Sequence, residues 1–216
     1  MPISLIHRLK ELPLAFIDVE TNGRSARTGS RVIEIGVVRV EGGKVTAEYQ
    51  QLVDPRRRIG LEITMLTGIT PAMCMGQPTF AQQLPKLLPL IEGAVVVGHN
   101  VKFDLSFLYG ELRRAHVEIG EKLGKLPVLD TLRLARKRFG RGGNSLGPLS
   151  RRLGIEPVSA HRALADAKTT HLVFQELLSP VGGWEVTLAD AFLHQGGPMH
   201  LETEPADLQL TGGLRV

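Results

Sequence analysis

A single cysteine, Cys74, stands in the 216 residues. It excludes an internal disulfide and points to a reducing compartment. With no His or Cys beside it at metal spacing, it is expected to be a packing residue. No apolar run approaches the ~20 residues that a membrane helix needs. The opening stretch, MPISLIHRLKELPLAF, interrupts its apolar residues with His7, Arg8, Lys10 and Glu11, so it does not read as a signal peptide. Internal repeats and low-complexity tracts are also missing. These absences lead to the expectation of a soluble, cytoplasmic protein with no membrane partner.

An apolar fraction of 43% is ordinary for a globular core. The length suits one domain, expected over 1–180, with 181–216 as an appendage of uncertain order punctuated by Gly182-Gly183, Gly196-Gly197 and Gly212-Gly213. Lys and Arg number 26 against 22 acids, a net charge of +4. That bias is compatible with a polyanionic partner, and the distribution says more than the sum. Arg56, Arg57 and Arg58 are consecutive, Arg133, Arg136, Lys137, Arg138 and Arg141 crowd one segment, and Arg151 and Arg152 follow. Singly, each reads as well as a solvated helix face. Beside a metal site, they would have phosphates to hold.

The chain is organised around Leu14 to Gly23, LAFIDVETNG. Leu14-Ala15-Phe16-Ile17 is the apolar run of a strand covered on both faces. Asp18 and Glu20 follow two positions apart, on one side of the strand with Cα atoms roughly 6.6 Å apart. At about 5 Å and an effective dielectric of about 20, two such carboxylates repel by roughly 3 kcal/mol. A cation is expected between them.

Around this strand the pattern predicts a short amphipathic helix over 3–12, then strands at 14–19, 32–41 and 45–53, the last two joined by a Glu41-Gly42-Gly43-Lys44 hairpin turn. Helices are predicted over 61–70, stopped at Gly68, and over 79–91, with Thr79 as its cap. A buried fourth strand, 94–98, precedes a helix carrying Phe103, Phe107, Leu108 and Leu112. A fifth strand, 127–129, leads to a helix capped by Asp130. Helices at 145–153 and 160–178 complete the order, with one or two further turns over 187–194. Such an order implies an α/β fold, a mixed five-stranded sheet with helices on both faces.

Strand four runs into Gly98-His99-Asn100 and, one turn later, Asp104. That is the carboxyl edge where open α/β sheets bind ligands. If this strand lies beside the first and parallel to it, the acids converge. Alone, Asp104 reads more readily as a first-turn helix acid that satisfies the dipole. The third piece is His161-Arg162-Ala163-Leu164-Ala165-Asp166. Five residues of helix would turn His161 and Asp166 about 140° apart. They could then serve different parts of one site, Asp166 on an ion and His161 over the reacting atom.

The order D-x-E, N-x-x-x-F-D, H-x-x-x-x-D resembles the DEDD 3′–5′ exonucleases, in the histidine-bearing DEDDh branch typified by the bacterial DNA polymerase III epsilon proofreading subunit. VIEIG, LTGIT at 66–70, DTLRLARK at 130–137 and HRALADA at 161–167 add to it, and the match spans about 12–178. The resemblance implies a ribonuclease H-like fold. It implies Asp18, Glu20, Asp104 and Asp166 as carboxylates for two Mg²⁺ or Mn²⁺ ions. His161 would be the general base, its usual pKa near 6.5 suiting that task. Thr21 would hold the terminal sugar, and Leu66 and Phe103 would pack on the last bases. His99 and Asn100 would support the site or touch phosphate. Glu34 and Asp130 are read as structural. Three features depart from the family: Asn22 replaces the second Thr of T-T-G, Arg56–Arg58 precede LTGIT, and the tail is short.

The expected activity is 3′–5′ exonuclease action on single-stranded or mismatched DNA 3′ ends, in proofreading or repair, with a DNA polymerase catalytic subunit as a possible partner. RNA 3′-end trimming is the alternative within the enzyme class, since nothing legible discriminates the 2′-OH. A polymerase-docking accessory subunit is the alternative outside it. Ala206-Asp207-Leu208-Gln209-Leu210 faintly resembles a sliding-clamp peptide without its hydrophobic end.

Overall fold

A computed structural model of the chain describes residues 3–117, 126–156 and 161–199. The clamp-like peptide at 206–210 and the expected helix start at Ala160 lie outside these residues. β1 (Leu14–Thr21), β2 (Val32–Glu41) and β3 (Lys44–Leu52) form an antiparallel meander. β4 (Val95–Gly98) lies beside β1 and parallel to it, and β5 (Val128–Asp130) lies parallel beside β4. The sheet order is β3-β2-β1-β4-β5. The expected parallel placement of β4 against β1 is therefore observed, and the carboxyl ends of both strands share one edge.

Eight α-helices are described: α1 (Leu61–Thr67), α2 (Pro71–Cys74), α3 (Phe80–Ile91), α4 (Lys102–Arg114), α5 (Thr131–Phe139), α6 (Leu146–Arg152), α7 (Ala163–Leu178) and α8 (Leu188–His194). Period-two alternation along β1 sends Ala15, Ile17 and Val19 into a core closed by α3 and α4. Leu14 and Phe16 enter the opposite core with α5, α6, α7 and α8. Both faces of the sheet are thus covered, as the doubly apolar strand requires. Asp18 and Glu20 share the parity of Phe16 and point toward the α7 side. No described helix is long and apolar enough to cross a membrane. Cys74 is buried, and burial pushes its thiol up to about 11, as a packing residue would show.

The lead-in differs from expectation. Instead of a helix over 3–12 there is one 3-10 turn, Leu9–Glu11. Arg8 is extended and forms an isolated antiparallel bridge with Thr187, and the Leu9 N–H donates to the Val186 carbonyl at 2.9 Å. A pairing partner far along the chain overrides the local amphipathic period. α8 is capped by Thr187, whose Oγ accepts the Asp190 N–H at 3.1 Å. Beyond it, Gln195 closes onto the sheet edge: Oε1 accepts the Asp130 N–H at 2.9 Å, and Nε2 donates to the Val128 carbonyl at 3.1 Å.

Candidate active site

β1 ends in an irregular step between Glu20 and Thr21, where its register with β2 shifts. Asp18 and Glu20 precede that step. From the other core, α4 begins just past β4 and brings in Asp104, only 3% exposed; its Oδ1 accepts the Val19 N–H at 3.0 Å. From the opposite core, the first turn of α7 brings Asp166. Its Oδ2 accepts the His161 N–H at 3.0 Å. Ligand atoms of Glu20, His161 and Asp166 all lie within 4.8 Å of one another. Residues from 18 to 166 are thereby gathered by three elements at one sheet edge.

The electrostatics of this edge are severe. Burial pushes the Asp18 carboxyl well above its usual range, and the charges of Asp104, Asp166, Glu20 and Glu34 push it the same way. Burial also raises Asp104, against the opposing pull of the Val19 N–H. Glu20 is pushed up to about 7, first by burial and then by Asp166 and Glu34, with Arg162 pulling it down. Asp166 is raised by burial and lowered in part by its bond from His161. Clustered carboxylates in such a setting require either protons or a cation. An all-oxygen donor set of this kind fits a hard divalent ion.

A model of the exonuclease family RNase T matches residues 15–174. The chain belongs to that family.

The chain is 40% identical to the DNA polymerase III subunit epsilon of Aquifex aeolicus over 163 residues, covering 75% of this chain and 78% of the relative. It is 37% identical to the 3′-5′ exonuclease DinG of Bacillus subtilis (strain 168), also over 163 residues, or 75% of this chain and 17% of that protein. It thus spans only a small part of that longer relative. Among solved structures, the nuclease domain of 3′hExo, a DEDDh family member bound to rAMP, superposes with a TM-score of 0.65 at 17% identity. That likeness covers 81% of this chain and 95% of the other, and it shows the ribonuclease H-like fold.

His161 departs from the helical geometry expected for it. α7 starts at Ala163, so His161 sits on the preceding turn and not on the helix. Its φ is +63° and Arg162 is extended, a bend that returns His161 toward Asp166. The 140° separation of a continuous helix therefore does not apply. Arg162 acts on Glu20 but bonds to Glu34.

The remaining residues singled out from the sequence lie on several elements. Thr21 is buried, and its hydroxyl donates to the Gly23 carbonyl at 2.7 Å. Leu66 is exposed on α1, beside exposed Met65. Phe103 is half-buried next to Asp104 and packs on Phe107, ring centroids 4.9 Å apart. His99 Nδ1 lies 2.8 Å from the Thr131 hydroxyl, and burial lowers its pKa to about 4, so its ring is neutral at pH 7. Asn100 has a left-handed backbone, and its N–H donates to Asp130 Oδ1 at 2.9 Å. The same oxygen accepts the Leu132 N–H, which makes Asp130 the expected helix cap. Asn22 is engaged with the protein itself: its Oδ1 accepts the Arg31 N–H at 2.6 Å and its Nδ2 donates to the Arg58 carbonyl at 3.0 Å.

Two ion pairs beside the site escaped the sequence reading. Arg31 bonds both oxygens of buried Glu111, at 2.6 and 2.7 Å, and Arg162 bonds fully buried Glu34. A signal existed for Glu34: an acid inside the otherwise apolar run VIEIGVV needs a partner.

Proposed function

We propose that the chain is a divalent-metal-dependent 3′–5′ exonuclease that removes nucleoside monophosphates from single-stranded or mismatched DNA 3′ ends, in proofreading or repair. Asp18 carries this reading. It is a half-buried carboxylate, and the four charges that act on it most are all acids. Such a group only destabilises the fold unless a cation completes it. Asp18, Glu20, Asp104 and Asp166 would hold two Mg²⁺ or Mn²⁺ ions. When bound, such ions supply positive charge to the attacking and leaving oxygens of a phosphodiester.

The protein's own residues do the rest. His161 accepts a proton from the attacking water. The water oxygen bonds to phosphorus, the P–O3′ bond breaks, and solvent protonates the departing 3′ oxygen. The products are a nucleoside 5′-monophosphate and a strand shorter by one residue. Thr21 and its turn hold the terminal sugar, while Leu66 and Phe103 pack on the last bases by sequence-independent stacking. His99, neutral and tied to Thr131, supports the edge on which Asn100 meets the strand. The catalytic unit takes in residues 1–180 together with α8 and Gln195, which pack into the same core and sheet edge. The match to a polymerase III epsilon subunit supports DNA as substrate and a polymerase catalytic subunit as partner, in the cytoplasm.

Matched 5′-labelled DNA and RNA oligonucleotides, digested in Mg²⁺ and in Mn²⁺ beside an Asp18→Ala control, test this reading. A 3′–5′ ladder on DNA, faster at a mismatched 3′ end and absent in the control, is expected. A ladder on RNA alone would make the protein a trimming enzyme. No ladder from folded protein would leave docking to a polymerase as its role.

A further inference from the structure

β2 carries Glu34 and Gly36 two positions apart, hence on one face. In the β1–β2 ladder they stand opposite Glu20 and Asp18. Both positions receive the segment that bears His161. Glu34 is 0% exposed. Arg162 Nε donates to both of its oxygens at 3.1 Å, and Nη2 donates to Oε1 at 2.7 Å. The Ala163 N–H donates to Oε2 at 3.0 Å, and Gln50 Nε2 donates to Oε1 at 2.8 Å. Gly36 adds a close approach: a Cβ there would stand 2.3 Å from the carbonyl carbon of Ala163 and from the Leu164 nitrogen.

On its other side, His161 is tied by its N–H to Asp166 Oδ2. The positive φ of a non-glycine residue persists only where its surroundings hold it. Here the holding groups flank the imidazole: Asp166 on its own amide, and Glu34 on the two residues that follow. Arg162 does not serve as a free cation for substrate, because its fork is committed to Glu34. A carboxylate held by four such donors is likewise not free to take an ion.

We infer that the Glu34–Arg162 pair is a latch whose task is to fix His161 over the acid cluster, so that both are positioning residues and neither touches the reacting atoms. This rests on the reading of His161 as the general base. The ladder makes the latch efficient. The strand pair that carries Asp18 and Glu20 also carries the anchor of the base, so both halves of the chemistry share one rigid support. A displacement of about 1 Å in such a group costs on the order of 10²-fold in rate.

The test uses Glu34→Gln, which keeps an acceptor for the Ala163 N–H, and Arg162→Lys, which keeps charge but loses the bidentate fork. Each is built alone and in a His161→Ala background. For the single variants, kcat on labelled single-stranded DNA is expected to fall about 10–100-fold, with KM and Mn²⁺ affinity within about threefold. In the His161→Ala background the same changes are expected to cost almost nothing more, because residues acting through one group are not additive. A ring-proton NMR signal assigned by its loss in His161→Ala should broaden or shift in both variants, while the other histidines hold still. A full further loss in the His161→Ala background, a parallel loss of Mn²⁺ affinity, or an unmoved ring signal would overturn the latch. Should the unaltered protein cleave no oligonucleotide with either metal, the exonuclease reading fails by itself, and the ring signal still decides whether the pair fixes His161.

Discussion

Glu20 and Glu34 face each other across the β1–β2 ladder, yet their carboxyls are driven in opposite directions. Burial, then Asp166 and Glu34, push Glu20 up to about 7. Burial presses on Glu34 too, but the bonds from Arg162, Ala163 and Gln50 outweigh it and hold Glu34 below its ordinary value. One acid is closed by an arginine and becomes architecture. Its neighbour is left open among acids and becomes a place for a cation.

This asymmetry sets a pH dependence. Folded protein keeps Glu20 protonated up to about 7, while the unfolded chain releases that proton near 4.5. Between those values the folded state binds more protons, so stability falls as pH rises. Glu34, lowered on folding, works the other way, and its contribution is lost only as pH falls through its folded value. His99, which burial lowers to about 4, offsets Glu20 below about 6.5, so the fall belongs above that range. Thermal melts in a chelator should therefore drop between pH 6.5 and 8. Mn²⁺ at pH 8 should restore them. A melting temperature that stays flat or rises between pH 6.5 and 8 without metal would contradict this arrangement.

Asp18→Asn should separate stability from turnover. It removes a half-buried carboxyl whose strongest charged neighbours are acids. Metal-free protein should therefore melt higher than the parent, by about 1 kcal/mol or more. Exonuclease activity should fall by at least about 10³-fold, on the order of 4 kcal/mol of barrier. Melting and digestion on the same preparation read both.

Gly36→Ala tests the seat of α7. The added methyl meets backbone, not a flexible side-chain end. The helix start must shift, at a cost of about 1–3 kcal/mol or more. Denaturant unfolding should show the loss, and activity should drop with it because His161 moves along with the helix start.

Gln195→Ala probes the far edge. Its side chain bonds the Asp130 N–H and the carbonyls of Val128 and Gly197. Removing it leaves buried backbone groups of β5 unpaired, at about 1–3 kcal/mol. Since Asp130 in turn holds the Asn100 N–H, a modest rise in KM with little change in kcat is the expected kinetic result. A collapse of kcat would place this edge in the chemistry.

Much of this was legible in the residues. The apolar run into Asp18-Val19-Glu20 and the short run into His99-Asn100 betray strands that end at a common edge, because burial on both faces and abrupt polarity are local signals. Glu34 was legible as structural, though its partner was not, since Arg162 lies 128 positions away. The bend at His161 carries no sequence signature: a positive φ at a non-glycine residue is imposed by tertiary bonds. Residues 3–12 satisfy a helical period and still fail to form one, because Thr187 and Val186 offer Arg8 and Leu9 a better partner. Gln195 escaped for the same reason, its role being visible only once the two ends of the fold are brought together.

The bond from Ala163 to Glu34 has a consequence for hydrogen exchange. Amides in the first turn of a helix have no partner within it, so they ordinarily trade their protons with water early. The Ala163 amide is buried against a carboxylate rooted in the second strand of the sheet. Its proton should leave only when β2 itself opens, on the slow schedule of the sheet and not that of a fraying helix end. His161, exposed to solvent, is two residues from an amide that keeps the sheet's slow time.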